Sequence, residues 1–348
     1  MKKRLMLRSA TLGAFACLSL MAGACGTGQS SGDTITLKVA DSLPTEHVFS
    51  RDGIVPWMEA VEQETDGKVQ FEHYPAEQLA GADELLGATA DGLTDIGYVV
   101  PSYFSDALPL SDIGALPGLY QSSVDATIPY WNLVSEDLIS EFHQQDVQPV
   151  MATVAPLYQP MISGGSIEQV SDLEGKKLRS PGAVQDLAIK ALGASPVSMP
   201  ASDVFTSMER GTVDGTVLPL ASIDGYGIAD QLEGVTANAP LGGTMPIMAM
   251  NKSTWDDLPS DVQEAFMNVA EDSGESAARA WSEESQAEVE KLRDAGVQVK
   301  ELSDSEIAEW TEVLAGVTDE WVAAREQDGH PAEKTLETWK RRLEEGTQ

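Results

Sequence analysis

Up to about residue 253 the chain alternates between two short patterns of apolar and polar positions. Ile35-Thr36-Leu37-Lys38-Val39-Ala40 places apolar residues at every second position and stops at Asp41-Ser42-Leu43-Pro44, which predicts a strand and a turn. Val55, Met58 and Val61 recur at helical spacing before Asp66-Gly67, so Val55 to Glu64 reads as a helix. Lys68 to Tyr74 alternates again and ends at Pro75. A helix is predicted over Ala82 to Asp91, with Gly92 behind it, and Asp95 to Val100 reads as a short buried strand. Strand, helix, strand, helix and strand within about 65 residues make an α/β unit with parallel pairing.

The pattern returns further on. Gln148 to Val154, Lys177 to Arg179, Gly215 to Leu218 and Met245 to Met250 read as strands, while Val184 to Leu192 and Asp203 to Arg210 read as helices stopped by Gly193 and Gly211. Past Ser253 the composition shifts. Ser260 to Arg293 and Ser303 to Arg325 are rich in Ala, Glu, Gln and Leu at helical spacing. Long helices after two α/β units are expected to strap the two together.

Charge narrows the partners. The 348 residues carry 22 Lys and Arg against 56 Asp and Glu, a net charge of −34. Such a surface repels phosphate backbones and anionic lipid, so nucleic acid is excluded as a partner. The first 24 residues depart from this balance. Lys2, Lys3, Arg4 and Arg8 precede an apolar run from Ala10 to Ala24 with no acid, the make-up of a secretory signal. Met21-Ala22-Gly23-Ala24-Cys25 followed by Gly26-Thr27-Gly28-Gln29-Ser30-Ser31-Gly32-Asp33 resembles a bacterial lipoprotein cleavage site with a flexible tether. Ala22 stands where an aliphatic Leu, Val or Ile is usual. Cleavage before Cys25 would leave one thiol for acylation, with ordinary cleavage nearby as the other reading. Losing the four basic residues takes −34 to −38.

Catalytic and metal signatures are scarce. No Gly-rich phosphate loop and no Gly-x-Ser-x-Gly elbow occur. His47, His73, His143 and His330 form no zinc-type pair, and two cysteines supply no Cys-based site. Neither a metal nor a cofactor is implied, and the residues point away from an enzyme. Acidic pairs such as Asp256-Asp257 read as solvated helix faces.

The informative stretch is Asp172-Leu173-Glu174-Gly175-Lys176-Lys177-Leu178-Arg179-Ser180-Pro181-Gly182. It continues with Ala191-Leu192-Gly193-Ala194-Ser195-Pro196-Val197, Met199-Pro200, Asp203-Val204-Phe205 and Met208-Glu209-Arg210-Gly211-Thr212-Val213-Asp214-Gly215. In order and spacing these motifs resemble the solute receptors of tripartite ATP-independent periplasmic (TRAP) transporters. Tyr74-Pro75-Ala76-Glu77-Gln78-Leu79, Gly92-Leu93-Thr94-Asp95-Ile96-Gly97 and Asn251-Lys252-Ser253-Thr254-Trp255-Asp256-Asp257-Leu258-Pro259 extend the likeness over residues 34–325.

The resemblance implies that Arg179 clamps a ligand carboxylate, a role suited to the planar fork of a guanidinium. The plainer alternative is a surface arginine paired with Asp172 or Glu174. Departures from the family pattern bear on the ligand. Gln159 stands near the place of a second arginine found with sialic-acid-type ligands. Thr216-Val217-Leu218-Pro219 replaces Gln-Glu-Asn-Pro, so that Leu218 takes the place of an amide, and Ala201 replaces an aromatic. One arginine and one amide fewer, with a leucine gained, predict a monocarboxylate with an apolar or compact remainder. Further candidate wall residues are His47, Tyr98, Tyr103 and Tyr158. Glu77 is open to a ligand cation or to solvent, and Phe205 to the core or the pocket.

The expectation is a periplasmic-binding-protein-like α/β fold of two lobes with mixed sheets, an interlobe cleft and bracing C-terminal helices. By resemblance, residues 1–24 are the signal and 25–33 the tether. Lobe one then takes 34–156 and 245–284, and lobe two takes 157–244 and 285–348. The implied partners are a small organic acid, the small and large TRAP membrane subunits, and the membrane itself through a lipid on Cys25, placing the chain on the outer face of the cell membrane. A ligand sensor serving a membrane signalling receptor and an ABC-type binding protein share the same binding physics and stay open at this point.

Overall fold

The computed structural model describes residues 34–346. The signal, the tether and Cys25 lie outside the described residues. Eleven strands occur in chain order: β1 Ile35–Ala40, β2 Val69–Tyr74, β3 Ile96–Val99, β4 Val147–Ala152, β5 Gln159–Ile162, β6 Lys177–Ser180, β7 Ser195–Ser198, β8 Gly215–Leu218, β9 Gly234–Thr236, β10 Ile247–Asn251 and β11 Gln298–Lys300. They form a five-stranded sheet in the order β2-β1-β3-β10-β4 and a six-stranded sheet in the order β11-β9-β5-β8-β6-β7. Each sheet carries helices and forms one lobe.

Both sheets are mixed. β1 runs parallel to β2 and β3, as the strand–helix–strand spacing requires, but β10 is antiparallel to β3 and β4. β6 is parallel to β7 and β8, while β5 is antiparallel to β8 and β9. The alternation in β1 becomes burial: Leu37 and Val39 point into the core and Thr36 and Lys38 outward, as a period of two demands.

Two connections between the lobes lie side by side. The segment after β4 and the segment before β10 pair through Thr153 N–H to Pro246 C=O (3.0 Å), Ala155 N–H to Thr244 C=O (2.9 Å) and Tyr158 N–H to Gly242 C=O (3.4 Å). The amide of Gln159 ties them again. Its Nε2 donates to Leu157 and Ala239 carbonyls, and its Oε1 accepts from the Ala239 N–H at 2.7 Å. The third connection is the helix Ser260–Asp294, 35 residues long and therefore about 52 Å at 1.5 Å per residue. It runs from beside β4 to β11. Gly274 permits that path, because a Cβ there would meet the Ala152 carbonyl at 2.3 Å.

The C-terminal region differs from the expectation in two ways. The predicted helix from Ser303 to Arg325 is two helices, Asp304–Leu314 and Gly316–Gln327, broken at Ala315 ahead of Gly316. A further helix, Ala332–Gly346, buries Leu336 and Trp339, and Trp339 meets Tyr130 edge-on at 6.0 Å. Tyr130 belongs to the helix Ser123–Asn132, which carries an internal Pro129 and whose apolar spacing gives no clean helical stripe. Among the described residues no helix is long and apolar enough to cross a membrane.

Candidate functional site

Between the lobes, beside the paired connections, lies a small cavity. The first lobe supplies Leu43, His47, Tyr98, Val100 and Tyr103, and the second supplies Ala201, Leu218, Pro219, Ser222 and Tyr226. Tyr158 and Thr244 come from the connections and Trp281 from the long helix. Among the described residues no Asp, Glu, Lys or Arg lines this cavity. The lobes touch on both sides of it.

At one end, β6 carries Arg179 in register between Val197 of β7 and Thr216 of β8. Strands flank it on both sides, and the side chain is fully buried. Its Nε donates to the Met199 carbonyl at 2.9 Å and its Nη2 to the Tyr103 hydroxyl at 3.0 Å. Its Nη1 has no hydrogen-bond partner, and no ion pair of Arg179 occurs among the described residues. Asp172, the acid considered as its surface partner, instead accepts from the Glu168 and Gln169 N–H groups. Tyr103 also receives the Ala201 N–H at 3.1 Å. A phenol links Arg179 to the cavity wall.

At the other end His47 is buried. Its Nδ1 accepts the Phe49 N–H at 3.2 Å and its Nε2 lies 3.0 Å from Ser222 Oγ. Its ring meets Tyr226 at 5.3 Å and stands edge-on to Trp281 at 5.6 Å. Burial first, and the nearby Arg51 cation second, lower its pKa to about 3. The imidazole is therefore neutral at physiological pH. Gly225 sits against this ring, and a Cβ there would lie 2.9 Å from His47 Cδ2. Only a glycine lets the lobes approach so closely at that point.

The phenols between the two ends are also neutral. Burial raises Tyr98, Tyr158 and Tyr226 above the usual phenol range. At Tyr158 and Tyr226 the Arg179 cation pulls the other way without overcoming desolvation. Each presents an aromatic face and a protonated tip. The site as a whole is one buried cation beside a neutral, largely aromatic chamber.

Of the residues singled out from the sequence, His47, Tyr98, Tyr103, Tyr158 and Leu218 meet at this cavity, with Arg179 joined to it through Tyr103. Glu77 and Phe205 do not. Glu77 Oε1 accepts from Ser202 Oγ (2.9 Å) and from the Ala82 N–H (3.2 Å), so it bridges the lobes at the rim. Phe205 is 40% exposed, because its helical face turns to solvent while Val204 and Met208 turn inward. Sequence reasoning missed Leu43, Ser222, Tyr226 and Trp281. A tryptophan alone in an Ala- and Glu-rich helix was the one available signal among them.

Two lobes on paired connections, closed over a chamber that adjoins an unpaired guanidinium, define a binding protein for a small anion. The chain matches the family described as DctP, bacterial extracellular solute-binding protein, family 7, over residues 40–325, and it belongs to that family. It is similar to a solute-binding protein of Albidiferax ferrireducens, 25% identical over 294 residues, 80% of this chain and 84% of that relative. Among solved structures it resembles a TRAP solute-binding protein from Rhodoferax ferrireducens in complex with copurified benzoate, at a TM-score of 0.85 and 24% identity, covering 90% of this chain and 99% of that one. A marine metagenome TRAP solute-binding protein specific for aromatic acid ligands, in complex with 3-hydroxybenzoate, superposes at 0.84 with 23% identity, covering 90% and 99%.

Proposed function

We propose that this chain is the extracytoplasmic receptor of a TRAP transporter and captures a compact aromatic monocarboxylate between its lobes. The observation that carries this reading is Arg179, buried, without an acidic partner and with Nη1 unsatisfied. A buried charge without a counter-ion is costly, and a carboxylate supplies the missing charge and acceptors together. With no cation in the lining and only Arg179 adjoining it, a second carboxylate would itself sit unpaired. The Tyr98, Tyr158, Tyr226 and Trp281 walls suit a planar ring. The benzoate and 3-hydroxybenzoate held by the structural relatives agree with that choice.

The loaded, closed form is then handed to the small and large membrane subunits, with lobe boundaries at 34–156 and 245–284 against 157–244 and 285–348. Acylation at Cys25 keeps the receptor at the outer face of the membrane. No catalytic step is assigned to it. The test is a thermal-shift series on the mature protein with benzoate, mandelate and succinate. Benzoate at 100 times its dissociation constant adds about 2.7 kcal/mol of stability, whereas succinate adds little. Arg179→Ala removes the benzoate shift. An Arg179→Ala protein that keeps it overturns the assignment.

A further inference from the structure

The hydrogen atoms at the His47 end are fixed by the network. A backbone N–H can only donate, so the Phe49 N–H obliges His47 Nδ1 to be the unprotonated nitrogen. A neutral imidazole then carries its proton on Nε2, which donates to Ser222 Oγ at 3.0 Å. Ser222 is an acceptor in that bond, and its own O–H is left to point elsewhere. No other side-chain hydrogen bond of Ser222 occurs among the described residues. Ser222 is buried and borders the cavity, so the free O–H has the chamber before it.

Nothing in the surroundings lets this arrangement invert. His47 is wedged among Tyr226, Trp281 and Gly225, which prevents a ring flip, and its pKa of about 3 keeps it uncharged. The nearest charged side chain acting on it is Arg51, which disfavours a second proton. A chamber meant only for hydrocarbon would have no use for a directed hydroxyl, since a buried donor without an acceptor is destabilising.

We infer that Ser222, oriented by His47, reads a second, uncharged oxygen on the ligand, so that the preferred substrate is an aromatic acid bearing a hydroxyl, carbonyl or ether group away from its carboxylate. This rests on the carboxylate reading of Arg179 and refines it: the guanidinium end takes the charge and the His47–Ser222 end takes the substituent. Ser222 is then the specificity-determining residue and His47 a positioning residue behind it.

The experiment compares ligand pairs matched in shape. Benzoate, the three hydroxybenzoates and the three methylbenzoates are titrated calorimetrically against the full mature protein and its Ser222→Ala, His47→Phe and Arg179→Ala variants. A methyl fills the space of a hydroxyl without its hydrogen bond. In the unaltered protein at least one hydroxybenzoate is expected to bind about tenfold tighter than the methylbenzoate of the same position. Ser222→Ala should bring that ratio near one, and His47→Phe, which keeps the hydroxyl but frees it to turn, should lower it too. No preference at any position in the unaltered protein, or an undiminished ratio in Ser222→Ala, overturns the inference while leaving Arg179 untouched. Should Ser222→Ala fail to fold, the ratio in the unaltered protein and in His47→Phe decides. Binding of none of these acids, or equal binding by Arg179→Ala, overturns the carboxylate reading, and this inference with it.

Discussion

Arg179 and His47 are both basic side chains buried at one chamber, and they answer burial in opposite ways. The guanidinium cannot shed its proton, so Arg179 stays a cation and waits with an unsatisfied Nη1. The imidazole can, and desolvation together with Arg51 leaves His47 neutral. Each end also has its own clasp between the lobes. Tyr103 against Ala201 and Glu77 against Ser202 close the Arg179 side, and His47 against Ser222 closes the other. The same degree of burial gives a charge reader at one end and a neutral hydrogen-bond device at the other, because the two groups differ in how readily they ionise.

The largest effect should come from breaking the charged end. Arg179→Met is expected to weaken benzoate binding roughly 100-fold or more, about 3 kcal/mol. It should also raise the melting midpoint of the ligand-free protein, since an unpaired buried charge has been removed. Calorimetry and a thermal scan on the same sample check both, and a lower ligand-free midpoint would contradict the account of Arg179 as an uncompensated charge.

Next comes the neutral end. Gly225→Val drives atoms into His47, where even a Cβ would be at 2.9 Å. About 10-fold weaker binding is expected, read as a change in Kd with the fold intact by circular dichroism.

Acid should then separate the two ends by titration. The unfolded chain takes a proton on histidine near pH 6.5, whereas folded His47 refuses it until about 3. Its contribution is therefore complete above about 6.5 and is lost as pH falls through that window, by about 1.4 kcal/mol per pH unit. Asp112 works in the other direction. Burial raises its carboxyl to about 6, so its folded form gains relative stability as pH falls toward the ordinary carboxylate range. The difference between unaltered protein and His47→Gln in urea titrations isolates the histidine, and parallel pH profiles would refute its neutral burial. The smallest effect belongs to the rim. Glu77→Ala removes a link to Ser202 that is solvent-exposed, and no more than about a threefold loss of affinity is expected.

Much of the architecture could be read from periodicity. β1, β2 and β8, and the helices Val55–Glu64 and Ser260–Asp294, fall where apolar spacing put them within a residue or two. What spacing could not supply was pairing. β7, β9 and β11 each carry a single valine among small or polar residues, which marks no period, and they exist because a neighbouring strand offers hydrogen bonds. The site divides the same way. Arg179 stood out because a cation is rare in so acidic a chain, and the TRAP-like motif marked its strand. Ser222 and Tyr226 meet His47 only across the lobes, and Trp281 meets it only through the long helix, contacts between residues roughly 175 to 234 positions apart that no local pattern encodes.

The place of β10 in its sheet bears on how the chain is made. It sits between β3 and β4, yet it leaves the ribosome only after the whole of the second sheet except β11. Until residue 251 emerges, β3 and β4 have no partner between them, and the first 150 residues cannot complete their core. A nascent chain of this design stays unfinished for most of its synthesis, and acquires its final shape late and as a whole.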